Sequence, residues 1–417
     1  MATADVSPPV SIRHLSSDPV DVAIVGAGYT GLAAARRLAR AGASVVVIER
    51  ESIGWGASSR NGGQVLTGLK LDAGTLVARY GERRARELFD ISRDAMAKLD
   101  AIVGEEAIAC EYERVGHLQA AWKPAHFRAF QEEQALVGRM FGHRVELVPP
   151  SEQRSELGSG RYHGLLVDEG SSAINPAQYV HGLALAAARS GARVVTHTSV
   201  THVKPRGRRW TVSTSGGDID ARDVLMATDG SSSSVSPALE RRLVPVGSYL
   251  IATETLDESI GRRLLPRRRV AFDSKHFLFY FRLTSDHRLL FGGRAEFRRP
   301  LGNSARRAAP ILRRGMIEVF PELAEAQIDY AWGGTVTFTR DQMPRAGSLE
   351  GVHYAGGYAG HGIAMATYLG DLIARRIAGE PIEHPMLDDS FPPIPLYHGR
   401  PWFLPLVGAY YKMKDWI

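Results

Sequence analysis

The sequence predicts an α/β fold: a Rossmann-type nucleotide-binding part, interleaved with an α+β substrate part built on an antiparallel sheet. Three observations predict it. The apolar β-forming run Val20-Asp-Val-Ala-Ile-Val25 stops at Gly26, where Gly26, Gly28 and Gly31 complete a G-x-G-x-x-G spacing; Leu32, Ala35, Leu38 and Ala39 then recur at helical intervals. Longer β-type runs over 243–254, 269–283, 287–293 and 328–338, with a helical pattern at 304–320, read as an antiparallel sheet with a covering helix. A second strand–turn–helix, 352–355 into Gly356-Gly-Tyr-Ala-Gly-His-Gly362 and a helix through Ala378, lies more than 300 residues beyond the first.

Each part of the first motif has a physical task. The first glycine permits the tight turn, the second lets the backbone approach a pyrophosphate, and the third lets helix and strand pack closely. The helix N-terminus then offers N–H groups and a positive dipole end to phosphates. The β-branched run Ser44-Val-Val-Val-Ile-Glu49 ends on an acid 18 residues past Gly31, placed to accept hydrogen bonds from ribose hydroxyls. With strand, helix and acid all in position, Gly26-Ala-Gly-Tyr-Thr-Gly31 reads as a dinucleotide site.

The stretch from Ser52 to Gln64 is too rich in Gly, Ser and Asn for a regular element. It suits a loop that wraps backbone donors around a cofactor, with Arg60 as fixed positive charge; a plain surface loop is the alternative. Residues 74–103 and 124–141 carry charged helical periodicity, with a strand over 116–122 between them. Asn175-Pro176 opens a helix through Arg189, because proline suits the first helical turn. A strand at 191–195 follows, then segments at 199–204, 209–214 and 223–228, the last returning to the nucleotide sheet. The expected division is a flexible extension over 1–19, a nucleotide-binding domain over 20–75, 145–240 and 335–380, a substrate domain over 76–144 and 241–334, and an aromatic tail over 381–417.

Composition narrows the function. The chain has 417 residues, 44% hydrophobic and 23% charged, and its net charge of +6 comes from scattered arginines. No long basic block or aromatic–basic repeat points to nucleic acid. The single cysteine, Cys110, excludes an intramolecular disulfide and a cysteine-rich metal site, so no metal is expected. Residues 1–19 hold no apolar core of signal-peptide length, and no apolar run reaches the roughly 18 residues of a spanning helix. No integral membrane segment and a cytoplasmic location are therefore expected. The tail after Pro381 is rich in proline and aromatics; it reads as packing back onto its own domain, with membrane-surface or partner docking as the alternative.

Two glycine-rich turns at opposite ends of the chain favour FAD over NAD, because an extended, buried flavin needs cover from elsewhere in the chain. A regulatory NAD-binding protein would leave the second turn and the Arg60–Gln64 loop unexplained. An RNA-modifying enzyme would call for a basic groove that the sequence lacks.

The motifs Gly26-Ala-Gly-Tyr-Thr-Gly31, Gly56-Ala-Ser-Ser-Arg-Asn-Gly-Gly63, Tyr280-Phe-Arg-Leu283, Leu289-Leu-Phe-Gly-Gly-Arg294, Trp332-Gly-Gly-Thr335 and Gly357-Tyr-Ala-Gly-His-Gly362 resemble the D-amino-acid oxidase (DAO) family of FAD-dependent amine oxidoreductases. The likeness runs from about residue 20 to the C-terminus. Its Arg60-Asn-Gly-Gly-Gln64 stretch and aromatic tail are most similar to the gamma-glutamylputrescine oxidase branch. The resemblance implies that an amine gives up a hydride to flavin N5. The imine then hydrolyses to an aldehyde, and dioxygen is reduced to hydrogen peroxide. The alternatives are sarcosine, N-methyl amino acids or glycine as substrate, or a quinone as electron acceptor.

Roles follow from the same resemblance. Gly26, Ala27, Gly28, Tyr29, Thr30 and Gly31 match the pyrophosphate turn, Glu49 the ribose acid, and Arg50 lies beside it toward the adenine. Gly56, Ala57, Ser58, Arg60, Asn61, Gly62, Gly63 and Gln64 match the loop passing the isoalloxazine; Val200, Ala227 and Thr228 are adenine-side candidates. Gly357, Gly360, His361, Gly362 and Ile363 match the turn at the flavin's pyrimidine end. His361 is a candidate catalytic residue, with plain packing in the turn as the alternative. Tyr280 and Arg282, two apart on one strand, are candidates for orienting the amine and clamping a carboxylate, Arg282 alternatively being a structural ion-pair partner. Trp332 is a candidate pocket wall or an ordinary core residue, and Lys275 reads as a surface lysine. With Cys110 outside every flavin-matching segment, the FAD is expected to be non-covalent.

Overall fold

The computed structural model describes residues 18–231, 235–293 and 303–416; nearly all of the expected N-terminal extension, and Arg294 of the quoted motif, lie outside the described residues. Val20–Val25 is a short apolar run because it is buried on both faces, between parallel neighbours Val45–Ile48 and Gly217–Met226. The sheet around it has the order Arg345–Leu349, Val352–Gly356, Gly217–Met226, Val20–Val25, Val45–Ile48, Arg193–Val195, and the hairpin Val200–Arg206/Arg209–Thr214 extends from Gly217–Met226. The helices Tyr29–Arg40, Pro176–Arg189 and Gly362–Ile377 share one core with this sheet.

The second sheet runs Ile328–Phe338, Val244–Thr253, Leu289–Gly293, Phe279–Leu283, Val270–Asp273, His117–Ala120, Leu165–Asp168, Glu146–Val148. It is antiparallel except where Val270–Asp273 meets His117–Ala120. The helix Ser304–Val319 covers it through Ala308, Leu312, Met316 and Val319, which recur at helical spacing on its buried face.

Several expected boundaries move. Glu146–Val148 and Leu165–Asp168 pair with the second sheet, so the segment beginning at 145 does not belong wholly to the nucleotide-binding part. The helix Ala73–Glu105, expected from its charges as a solvated helix or helix pair and falling mostly within the expected substrate domain, instead buries Ala85, Leu88, Ala95 and Leu99 in the first sheet's core. It bends at Gly81, which sits at φ +74°. The run 269–283 is two strands split by a turn over 274–278, and the 52–64 loop contains the short helix Ala57–Arg60. The tail packs back as expected, but through a helix, Leu404–Trp416. Among the described residues no helix is long and apolar enough to cross a membrane.

Candidate active site

The first turn is closed by its own surroundings. Gly26 sits at φ +107°, and a Cβ there would lie 2.8 Å from the Ala227 carbonyl oxygen. A Cβ on Gly31 would meet the Gly26 carbonyl oxygen at 2.0 Å, and one on Gly28 the Ser58 hydroxyl at 2.9 Å. Glu49 Oε2 accepts from the Ala27 N–H (2.9 Å) and Oε1 from the Glu51 N–H (2.9 Å); a carboxylate offers about four acceptor directions, so room remains for ribose hydroxyls. Val200, Ala227 and Thr228 lie at the neighbouring strand ends, with Ala227 N–H donating to the Val25 carbonyl and Val200 in the same buried cluster as Val25 and Ile48. Arg50 points outward and pairs with Glu51.

The second turn meets the first from the far end of the chain. Gly357 and Gly360 take φ values of +82° and +95°, and the Gly357 N–H donates to Oδ1 of the half-buried Asp229 at 2.8 Å. Ala359 N–H donates to the Thr337 carbonyl of the second sheet (2.9 Å). Thr30 and Tyr358 share a 2.6 Å hydroxyl hydrogen bond, and a Cβ on Gly370 would touch the Thr30 carbonyl oxygen at 2.4 Å. The N-terminus of Tyr29–Arg40 therefore packs against the second turn and the middle of Gly362–Ile377, and Ile363 is buried.

Between them, the 56–64 segment is fastened from both sheets. Gly56 precedes Ala57, and Ser58 Oγ accepts from the Tyr29 N–H (3.1 Å). Arg60 lies over the Trp55 ring at 4.3 Å, donates to the Trp55 and Gly333 carbonyls, and accepts from Trp332 Nε1 through its own carbonyl (3.0 Å). Asn61 folds back onto the Ala57 and Ser58 carbonyls and accepts from the Gly63 N–H. Gln64 donates to the Ala271 and Phe281 carbonyls. A Cβ on Gly62 would lie 3.0 Å from the Tyr280 ring, whose hydroxyl meets Ser248 Oγ at 3.0 Å.

Arg282 requires a correction. Its guanidinium is fully enclosed and donates to the carbonyls of Gly62 (2.6 Å), Ile174 (3.0 Å) and Leu283 (3.2 Å), and burial lowers its pKa to about 10. Among the described residues it forms no ion pair, and its contacts are those of an enclosed donor to backbone carbonyls, where the sequence suggests a carboxylate clamp or an ion-pair partner. Lys275 is also corrected. It is buried beside Asp273 (3.4 Å) and within 3.6 Å and 3.4 Å of the Trp122 and Phe279 ring centroids, and burial lowers its pKa. The same burial pushes the Asp273 carboxyl up to about 7.

A cleft of about 940 Å³ reaches the second turn at His361. His361 lines it; Tyr280, Arg282 and Trp332 do not. Burial, and then nearby Lys70 and His117, depress the His361 pKa to about 3, and its buried Nδ1 has no hydrogen-bond partner among the described residues. Asp168, also on the cleft, accepts from His143 Nε2 (2.7 Å), the Thr67 hydroxyl and the Gly170 N–H; against the cost of burial, the His143 and Thr67 bonds and the nearby His117 hold its pKa at about 2. His117 Nδ1 meets Ser171 Oγ at 2.8 Å. Among the described residues no group of acids, histidines or cysteines could hold a metal ion.

The profile of the family described as "FAD dependent oxidoreductase" (DAO) matches residues 21–376. The chain belongs to the DAO family. It is 33% identical to the gamma-glutamylputrescine oxidoreductase of Escherichia coli (strain K12) over 404 residues, 95% of this chain and 92% of that protein. It is 34% identical to "Probable oxidoreductase OrdL" of Rhizobium meliloti (strain 1021), over 96% of this chain and 93% of the relative. Glycine oxidase from Geobacillus kaustophilus shares the fold with a TM-score of 0.75 at 20% identity, over 88% of this chain and 96% of that structure. As a DAO enzyme the protein uses FAD to oxidise an amine or amino acid.

The DAO cradle fits that cofactor. Side chains are excluded where a pyrophosphate backbone must approach, the N-terminus of Tyr29–Arg40 follows directly on that turn, and His361 of the second turn lines the cleft, its buried Nδ1 without a hydrogen-bond partner among the described residues. Sequence reasoning missed Asp229, which anchors the second turn, and the cleft residues Thr67, Lys70, His117, His143 and Asp168. None of these has a motif of its own. Only the fold brings segments 66–74, 117–119, 143–145 and 166–168 to one wall. Cys110 is buried in the first core, where burial raises its thiol to about 12.

Proposed function

We propose that this protein oxidises a gamma-glutamylated polyamine such as gamma-glutamylputrescine, with dioxygen as electron acceptor and non-covalent FAD. The observation that carries this reading is the 33% identity, over nearly the whole of both chains, to a gamma-glutamylputrescine oxidoreductase. The cleft supports it: about 940 Å³ leaves most of the space unused by glycine or sarcosine and accommodates a long, flexible amine. Its walls carry both Lys70 and the acids Asp72, Glu132 and Glu133, a mixture suited to a substrate bearing carboxylate and ammonium groups.

In this reading Gly26, Ala27, Gly28, Tyr29, Thr30 and Gly31 hold the pyrophosphate, and Glu49 holds the ribose, with Arg50, Val200, Ala227 and Thr228 around the adenine. Gly56, Ala57, Ser58, Arg60, Asn61, Gly62, Gly63 and Gln64, together with Gly357, Gly360, His361, Gly362 and Ile363, would hold the isoalloxazine. Bound FAD supplies the two-electron acceptor. His361, neutral because burial disfavours the imidazolium, offers an acceptor or donor to the amine without repelling it. Tyr280, Trp332 and Arg282 act one step back, holding the 60–64 loop. The neutral amine loses two electrons and two protons to become an imine, dioxygen takes up two electrons and two protons to give hydrogen peroxide, and water converts the imine to aldehyde and ammonia.

Anaerobic visible spectroscopy tests the reading. The flavin band is expected to bleach with gamma-glutamylputrescine and to return in air with peroxide release. Bleaching by sarcosine or glycine alone would discard the polyamine substrate; bleaching that only a quinone reverses would discard dioxygen.

A further inference from the structure

The Leu404–Trp416 helix is apolar on two opposite faces. Its inner face is fixed: Leu404 is buried, Tyr411 stacks on His276 at 4.8 Å, and Asp415 accepts from the His276 and Phe277 N–H groups, both at 2.8 Å. Its outer face carries Trp402 just ahead of the helix, then Leu406, Tyr410, Met413 and Trp416, at spacings of three or four that form one stripe. These side chains meet solvent: Leu406 is 68% and Trp416 89% exposed. Nothing in the proposed oxidation uses them.

We propose that this face docks on an anionic lipid surface. Charge selects that occupant. From Pro395 to Trp416 the bases Arg400, Lys412 and Lys414 are exposed, whereas the one acid, Asp415, is turned inward onto His276 and Phe277. A second copy would fit poorly, because a two-fold pair brings the same patch, and so the same lysines, against itself. Tryptophan and tyrosine bordering an apolar stripe suit the headgroup boundary, and each nearby lysine adds attraction to anionic lipid. The helix has 13 residues, about 20 Å of rise, so it lies in the surface rather than crossing it. Because Phe403, Val407 and Tyr411 line the cleft from the same segment, docking sets the cleft beside the bilayer.

Co-sedimentation of the holoenzyme with vesicles tests this, comparing phosphatidylcholine alone with an equimolar mixture of phosphatidylcholine and phosphatidylglycerol. Binding to the anionic vesicles is expected, weakening as added salt shortens the Debye length. L406S/M413S/W416S and K412E/K414E are each expected to weaken it by about tenfold or more. Flavin content and amine-dependent bleaching in solution should be unchanged in both, which separates lost docking from lost folding. Absence of binding to anionic vesicles, equal binding to neutral ones, or undiminished binding by the triple serine variant would each overturn the proposal. So would a wild-type dimer that the serine variant converts to monomer without any vesicle binding.

Discussion

The two glycine-rich turns reach the same end of the first sheet by different means. Residues 26–31 are held by exclusion: the chain passes so close to itself and to Ala227 that only hydrogen fits at Gly26 and Gly31. Residues 357–362 are held mainly by attachment, through Asp229 on the Gly357 N–H and the Thr337 carbonyl on the Ala359 N–H, although a Cβ on Gly357 would also lie 2.4 Å from Thr339 Cγ2. A turn set by exclusion should fail abruptly when a side chain is added. One set by attachment should weaken by the worth of each removed bond.

The largest effect is expected at the first turn. Gly31→Ala places a methyl 2.0 Å from the Gly26 carbonyl oxygen, and should cost ~3 kcal/mol or more and leave the purified protein without bound flavin. The ratio of visible to protein absorbance reads this directly. A normally yellow variant would mean that the turn is held by something other than exclusion.

Arg282→Met comes next, because it strips donors from the Gly62, Ile174 and Leu283 carbonyls while relieving a buried charge. A net loss of about 2–3 kcal/mol is expected, with weaker FAD binding measured by titration of the apoprotein. At the second turn Asp229→Ala should cost about 1–2 kcal/mol in denaturant unfolding, while Asp229→Asn, which still accepts from Gly357, should cost less.

The smallest test is of pH. His361 ionises near 3 in the fold against a usual 6.5, so below about 6.5 the unfolded chain binds more protons and stability falls with acid, by up to about 1.4 kcal/mol per pH unit. Asp168, held near 2 against a usual 3.8, keeps its contribution above 3.8 and loses it as pH falls toward 2. His361→Asn should flatten the upper part of the acid slope and leave the lower part. An unchanged slope between pH 4 and 6.5 would show that the imidazole is not held neutral by burial.

The sequence alone determined the first turn, Glu49, the second glycine-rich turn and the antiparallel runs, because each depends on residues near one another in the chain or on the two-residue strand period. Glycine at positions 26, 28 and 31 is visible as letters because backbone approach demands it. Tertiary structure decided the rest. Arg282 reads as a clamp on a strand face until Gly62 and Ile174, from distant segments, fold over it. Lys275 reads as surface until Trp122 and Phe279 enclose it. The Ala73–Glu105 helix shows enough charge to look solvated, yet its narrow apolar stripe is what the first core needs. The cleft has no sequence signature, because its walls are side chains from many segments whose only relation is spatial.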